Sequence, residues 1–152
     1  MSTAPAFSTA QPTVLLVEDD DMLRRMLART LRCERFAVIE AENGAVALQA
    51  LRGLNGALGL ALTDITMPVM DGFEFARILR SLYPSVPVLF MSGAMPRASH
   101  GIPLLEVGTH LLLKPFGTEV LLEAITIMLN DGHAAEASLL RHPRSLADPV
   151  GN

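Results

Sequence analysis

The chain has 152 residues, half of them hydrophobic, and a formal net charge of −4. This length suits one compact domain with short tails, and the apolar content argues against disorder in the centre of the chain. The acidic balance argues against the basic stripe with which proteins hold nucleic acid, so no nucleic-acid partner is expected.

Both ends of the chain and its single cysteine bear on location. Residues 1–12 are rich in Ser, Thr, Ala and Pro and have no signal-peptide pattern, so we expect a flexible segment. No run approaches the ~18–20 apolar residues of a membrane span. Cys33, the only cysteine, fits a reducing compartment. These features predict a cytoplasmic protein with no membrane contact. The pattern of apolar residues further predicts one domain over residues 13–130 and a disordered tail over residues 131–152.

Short apolar runs alternate along the chain with segments of helical period. The predicted strands are 14–17, 37–40, 58–63, 88–91 and 110–113. Helices are predicted over 21–33, from 43–44 to about 53, from 71–72 onward, and from 118 to about 129. A further helical segment between 99 and 107 is interrupted by Gly101 and Pro103, so we expect it to be short or distorted. Strands alternating with helices indicate βαβ units, and hence a parallel sheet covered on both faces.

Polar residues stand where several of the predicted strands end. Glu18 and Asp19 follow the first strand, Asp64 the third, Ser92 the fourth and Lys114 the fifth. Because the carboxyl ends of parallel strands meet at one edge of a sheet, these side chains should converge where open α/β folds bind ligands.

The chemistry of this set favours a metal and a phosphate. Two adjacent acids beside a third provide the oxygen ligands that Mg²⁺ takes, and a carboxylate can accept a phosphoryl group covalently. A lysine and a hydroxyl would neutralise and hydrogen-bond the same phosphate. Each residue alone is explained as well by a helix cap, a turn or a solvated surface charge. Together, at one edge, they predict a shared phosphate and metal site.

With these residues, the sequence resembles the receiver domain of bacterial two-component response regulators, the CheY-like superfamily, from about residue 13 to 129. The motifs that carry the resemblance are the acidic pair, the loop Met67-Pro68 with Asp71-Gly72, and Lys114-Pro115-Phe116. The segments around Phe90-Met91-Ser92-Gly93 and before Lys114 are most similar to receivers of hybrid histidine kinase systems.

The resemblance implies a role for each residue of the predicted site. Asp64 is matched to the phosphorylated aspartate, and Lys114 and Ser92 to the residues that meet the phosphate. Asp19 is matched to a direct Mg²⁺ ligand and Glu18 to an acid acting more through water. Thr66 falls where the family's backbone carbonyl ligates the metal.

The resemblance also implies a fold and a function. The fold is a flavodoxin-like, doubly wound sheet of five parallel strands in the order 2-1-3-4-5. A histidine kinase or histidine phosphotransfer protein would pass a phosphoryl group from phosphohistidine to Asp64 with Mg²⁺, and this would switch a protein–protein contact. Slow self-catalysed hydrolysis would reset the protein, which is then a phosphoacceptor and not a turnover enzyme. Because no second domain follows Leu129, we expect a single-domain regulator.

One departure concerns how phosphorylation is read out. The family's aromatic switch residue falls on Leu111, so we expect loop rearrangement and surface packing to transmit the signal. On the last helix, Val120 and Ile127 lie opposite the core face, which predicts a partner or homodimer surface together with Leu111 and the fourth helical segment. Scattered surface apolar residues are the alternative.

Three other functions would use some of the same residues. A phosphatase with an Asp nucleophile would want a second acid two residues on, where Thr66 stands. A calcium loop at Asp19-Asp20-Asp21 lacks that loop's glycine and final glutamate. The remaining alternative is a pseudo-receiver scaffold that binds proteins without phosphorylation.

Overall fold

The structure is a computed structural model that describes residues 11–54, 57–94 and 109–141. The elements are β1 (Thr13–Val17), α1 (Asp21–Cys33), β2 (Ala37–Ala41), α2 (Gly44–Arg52), β3 (Leu60–Asp64), α3 (Gly72–Leu82), β4 (Val88–Ser92), β5 (Thr109–Leu113) and α4 (Thr118–Arg141). Among the described helices, none is both long and apolar enough to cross a membrane.

The five strands form one sheet in the order β2-β1-β3-β4-β5, and every neighbouring pair is parallel. The predicted fold class and strand order are therefore confirmed. The three central strands β1, β3 and β4 are almost wholly buried, as expected for parallel strands with helices on both faces.

The core divides into two clusters, one on each face of the sheet. Alternate strand residues point to opposite faces, so Leu15 and Val17 enter the first cluster while Val14 and Leu16 enter the second. Helices α2 and α3 cover the first cluster, and α1 and α4 cover the second. This doubly wound arrangement leaves the carboxyl edge of the sheet open to the loops that follow the strands.

Side-chain caps start three helices close to that edge. The carboxylate of Asp20 accepts from the Leu23 N–H, the side chain of Asn43 from the Val46 N–H, and the carboxylate of Asp71 from the Glu74 N–H. Each cap satisfies a backbone donor that the first turn of a helix leaves unpaired. These caps fix the residues at which α1, α2 and α3 begin.

The loop between β3 and α3 is tightly constrained. The Gly72 N–H donates to the Ile65 carbonyl at 2.8 Å, and a Cβ at Gly72 would overlap the carbonyl oxygen of Asp64. Val69 has a φ of 70°. Across it, the Met70 N–H donates a hydrogen bond to the Pro68 carbonyl at 2.8 Å. This is the pattern of a γ-turn with a positive central φ, which is strained for a β-branched residue.

The structure corrects one boundary and leaves others as predictions. The last helix, expected to end near Leu129, continues to Arg141, so the tail predicted over 131–152 begins with helix. The helical segment predicted between 99 and 107 and the segment 1–10 lie outside the described residues.

Candidate functional site

Backbone hydrogen bonds hold the ends of the strands together. The Glu18 N–H donates to the Ala41 carbonyl at 3.0 Å, and the Lys114 N–H donates to the Ser92 carbonyl at 2.7 Å. In the centre, the Ile65 N–H donates to the Met91 carbonyl at 3.0 Å. The residues that follow the strands are therefore fixed by the sheet.

Three predicted residues form an acidic cluster at this edge. Carboxylate oxygens of Glu18, Asp19 and Asp64 all lie within 4.8 Å of one another. Glu18 is 1% exposed and Asp64 7%, whereas Asp19 is exposed. Because like charges repel strongly at such distances when they are partly buried, a nearby cation would stabilise the ionised form of this cluster.

Lys114 supplies a positive charge within the cluster. Its Nζ donates to Asp64 Oδ2 at 2.7 Å and to Glu18 Oε2 at 3.0 Å, and the side chain is 23% exposed. Burial alone would lower the pKa of Lys114, but the hydrogen bonds to Asp64 and Glu18 outweigh burial and raise the pKa above its ordinary value. Lys114 therefore stays charged at physiological pH.

The environment of the cluster changes the acidity of Glu18. Burial raises the pKa of Glu18 from 4.5 to about 7, and the nearby charge of Asp64 acts in the same direction. The hydrogen bonds from Lys114 and from the Asp20 N–H act in the opposite direction without cancelling burial. An acid in this condition gains from binding a cation, because the cation stabilises its charged form.

Thr66 contacts the central aspartate through its backbone. The Thr66 N–H donates a long hydrogen bond of 3.3 Å to Asp64 Oδ1. This places the residue next to the cluster, where its carbonyl is predicted to bind metal. Asp64 therefore has each carboxylate oxygen oriented by a different neighbour, Lys114 on one side and Thr66 on the other.

Ser92 lies at the end of β4 but points its hydroxyl elsewhere. Its Oγ donates to the Ala94 carbonyl at 2.6 Å and accepts from the Ala94 N–H at 3.2 Å. Two residues earlier, Phe90 enters the first core cluster, so strand alternation also directs Ser92 toward that face. The hydroxyl would have to leave Ala94 to reach a phosphate on Asp64.

The same alternation is a sequence signal for the buried members of the cluster. Leu16, Leu62 and Leu112 pack in or against the second core cluster, and Glu18, Asp64 and Lys114 each follow one of them by two residues. Period two therefore assigns these three side chains to one face of the sheet. The resemblance assigns Glu18 a role through water, and the structure places its carboxylate 3.0 Å from Lys114 Nζ.

Sequence reasoning also missed Arg24. Its NH1 donates to the Glu18 carbonyl at 2.8 Å, and its side chain is only 13% exposed. Four arginines are scattered along α1, and nothing in their spacing distinguished this one. The signal that could have found it is its position, one turn into a helix that starts beside the acidic pair.

The residues predicted for signal output lie on different faces. Leu111 is half-buried against the first cluster, beside Phe90 in the strand register. Val120 and Ile127 on α4 are 51% and 48% exposed. The helical period predicts a core face of α4 formed by Leu121, Leu122, Ile125, Met128 and Leu129. This face is confirmed: all five pack in or against the second core cluster, with Leu122 only half-buried.

The acidic cluster fits the Mg²⁺ that the resemblance implies. All its donors are carboxylate oxygens, the ligands that Mg²⁺ takes, and Asp19 is exposed enough to leave room for water ligands. No nitrogen or sulfur donor of His or Cys joins the cluster within the described part of the chain, which disfavours a softer metal.

Comparison with known proteins identifies the family. The pattern of the response regulator receiver domain matches residues 14–126. The response regulator receiver protein CpdR of Brucella abortus is 34% identical over 116 residues, which are 76% of this chain and 95% of CpdR. The sensor kinase CckA of the same organism is 35% identical over 118 residues, 77% of this chain but only 12% of CckA.

Solved structures agree with this assignment. The crystal structure of the receiver domain from the hybrid histidine kinase CckA superimposes with a TM-score of 0.66 at 32% identity, covering 77% of this chain and 98% of that one. The chain spans less than two thirds of several longer curated relatives. Together with the parallel sheet and the acidic edge, these matches show that the chain belongs to the response regulator receiver domain family.

Proposed function

We propose that Asp64 accepts a phosphoryl group from a phosphohistidine, and that its phosphorylation switches a protein–protein interaction. Receiver domains interact with histidine kinases or phosphotransfer proteins and with downstream targets. One observation carries the proposal: the Asp64 carboxylate is held by Lys114 at 2.7 Å, at the open edge of the sheet and beside two further acids.

The step that we propose is an in-line displacement at phosphorus. A carboxylate oxygen of Asp64 attacks, the bond between phosphorus and the histidine nitrogen breaks, and the imidazole keeps the electron pair and takes up a proton from solvent. The product is an aspartyl-phosphate. Lys114 stays charged and meets the oxygens of the transferred group, because its amine already lies against Asp64.

Mg²⁺ would be held by Asp19, Asp64 and the Thr66 carbonyl, with Glu18 beside it, and would supply positive charge to the phosphoryl oxygens. Without the metal ion, Lys114 forms ion pairs with the carboxylates of Glu18 and Asp64. The proposed site therefore keeps a cation against these acids both with and without metal.

The Ser92 hydroxyl would report the change. To do so, it has to replace its hydrogen bond to the Ala94 carbonyl by one to a phosphate oxygen, and this would move the loop after β4.

Water would later attack the phosphorus and release inorganic phosphate and the Asp64 carboxylate. This slow reset makes the protein a phosphoacceptor and not a turnover enzyme. We place these events in the cytoplasm, in keeping with the single cysteine.

We propose that the output contact is centred on the exposed apolar residues of α4, Val120 and Ile127. Leu111, which is half-buried against the other face of the sheet, would influence this contact only through the edge strand β5. The partner would be a downstream protein or a second copy of the chain. Replacing Val120 and Ile127 together by Glu should abolish phosphorylation-dependent association in analytical ultracentrifugation or partner capture. Unchanged association in both assays would remove this surface from the proposal.

Phosphorylation itself is tested with a small acyl phosphate. The protein is incubated with acetyl phosphate and Mg²⁺ and weighed intact, beside Asp64→Asn and the control Asp71→Asn, which changes an exposed helix cap. The proposal expects one phosphoryl adduct on the wild type and the control and none on Asp64→Asn. The absence of an adduct with acetyl phosphate and with a phosphohistidine donor would favour the pseudo-receiver scaffold.

A further inference from the structure

We propose that Arg24 is a positioning residue for the metal site: it fixes the peptide between Glu18 and Asp19 so that both carboxylates can face one cation. This rests on the Mg²⁺ site of the proposed function. Arg24 does not belong to the acidic cluster and would not touch the metal or the phosphate. It would act through the backbone of the residues that do.

The contact with the backbone is direct. Arg24 NH1 donates to the Glu18 carbonyl oxygen at 2.8 Å, while the Glu18 N–H donates to the Ala41 carbonyl at 3.0 Å. Both backbone polar groups of Glu18 are therefore used, one by strand β2 and one by helix α1. The Glu18 carbonyl belongs to the peptide that leads into Asp19, so Arg24 sets the direction in which the chain leaves β1.

The guanidinium is itself held from two sides. It forms an ion pair with Asp21 in the first turn of α1, and its Nε lies 3.8 Å from Glu40 Oε1 on β2. Glu40 is in turn paired with Arg32 at 2.9 Å. Since the Arg24 side chain is only 13% exposed, these contacts are partly shielded from water and keep the guanidinium in one place.

An arginine is suited to this task and a lysine is not. The planar guanidinium offers donors in several fixed directions, so it can serve a carbonyl and two carboxylates at once. A lysine ammonium in the same place would be a point charge on a flexible stem. The geometry thus uses the shape of Arg24 and not only its charge.

The sign of the effect distinguishes positioning from simple electrostatics. A positive charge near a cation site repels the cation, so removing that charge should tighten Mg²⁺ binding if charge alone matters. If Arg24 positions the acids, its removal should weaken binding in spite of the lost repulsion. Residues that orient metal ligands without binding the metal typically change affinity 10–100-fold when replaced.

The experiment measures Mg²⁺ affinity of the full chain by isothermal titration calorimetry at fixed ionic strength. Arg24→Gln should raise the Kd about tenfold, and Arg24→Lys should give an intermediate value. Arg25→Gln is the matched control, because Arg25 is exposed on the same turn of α1 and its loss removes the same charge. It should leave the Kd within about twofold or tighten it slightly.

Urea unfolding of each variant separates this role from general stabilisation, since a purely structural residue would lower stability and leave the Kd of the folded protein unchanged. An unchanged or lower Kd in Arg24→Gln would overturn the role of Arg24 alone. If the wild type binds no Mg²⁺, the proposed metal site falls with it. Should Arg24→Gln not fold, Arg24→Lys carries the comparison: it must weaken binding while Arg25→Gln does not.

Discussion

Replacing Glu18 by Gln should stabilise the metal-free protein at alkaline pH and weaken Mg²⁺ binding. The Glu18 side chain is 1% exposed, and burial raises its pKa from 4.5 to about 7. A carboxyl whose folded pKa is raised favours the folded state only while it is protonated. Its contribution is therefore fully present below pH 4.5 and is lost as the pH rises to about 7.

The magnitude follows from the size of the shift. One pKa unit corresponds to about 1.4 kcal/mol, so the shift of Glu18 corresponds to about 3 kcal/mol above pH 7. Gln cannot ionise, and Lys114 keeps its partner Asp64 in the variant. We expect Glu18→Gln to exceed the wild type in free energy of unfolding by about 2 kcal/mol at pH 8, and by little at pH 4.5.

The assay is urea unfolding followed by circular dichroism at several pH values in the presence of EDTA. Glu42→Gln is the control, because Glu42 follows β2 at the same edge of the sheet but is exposed. The difference between wild type and Glu18→Gln should open between pH 4.5 and 7, whereas Glu42→Gln should follow the wild type. A difference that is constant across pH, or a less stable Glu18→Gln at pH 8, would refute the reasoning.

Three other replacements probe the same site. Lys114→Met should lower the free energy of unfolding of the metal-free protein by about 2 kcal/mol, because Glu18 and Asp64 lose their cation. Calorimetry should show tighter Mg²⁺ binding, since the ammonium no longer competes with Mg²⁺ for the two carboxylates. Gly72→Ala should cost about 3 kcal/mol in urea unfolding, because its Cβ would overlap the carbonyl oxygen of Asp64; an unchanged midpoint would contradict this. Val69→Asn should raise stability by about 1 kcal/mol, since Asn tolerates the positive φ that Val69 adopts; a lower midpoint would show that the turn is not strained.

Much of this fold could be predicted because its strands carry a simple pattern. Buried parallel strands are short continuous apolar runs, and 14–17 and 88–91 could be recognised as such. Their polar successors had to meet, since parallel strands share a carboxyl edge. The helix starts at Asp20, Asn43 and Asp71 were readable from side chains that commonly cap helices.

Other features depend on tertiary packing and could not be predicted in the same way. Because no core pattern continues beyond Asn130, the sequence predicts the end of the last helix near Leu129, yet α4 continues to Arg141 and includes Gly132. One glycine costs a helix only about 1 kcal/mol. The local hydrogen bonds of Ser92 and the contact of Arg24 with Glu18 depend on side-chain directions. Strand alternation indicates the face of the sheet toward which Ser92 points, but spacing along the chain does not specify either hydrogen bond.

The position of the phosphoryl group tests the central claim most directly. The protein is treated with acetyl phosphate and Mg²⁺, then with borohydride, which reduces an aspartyl-phosphate to homoserine, and the peptides are sequenced by mass spectrometry. The account predicts homoserine at position 64 in the wild type and at no other aspartate. Homoserine at Asp19 or Asp71, or unmodified Asp64 under all donors, would contradict it.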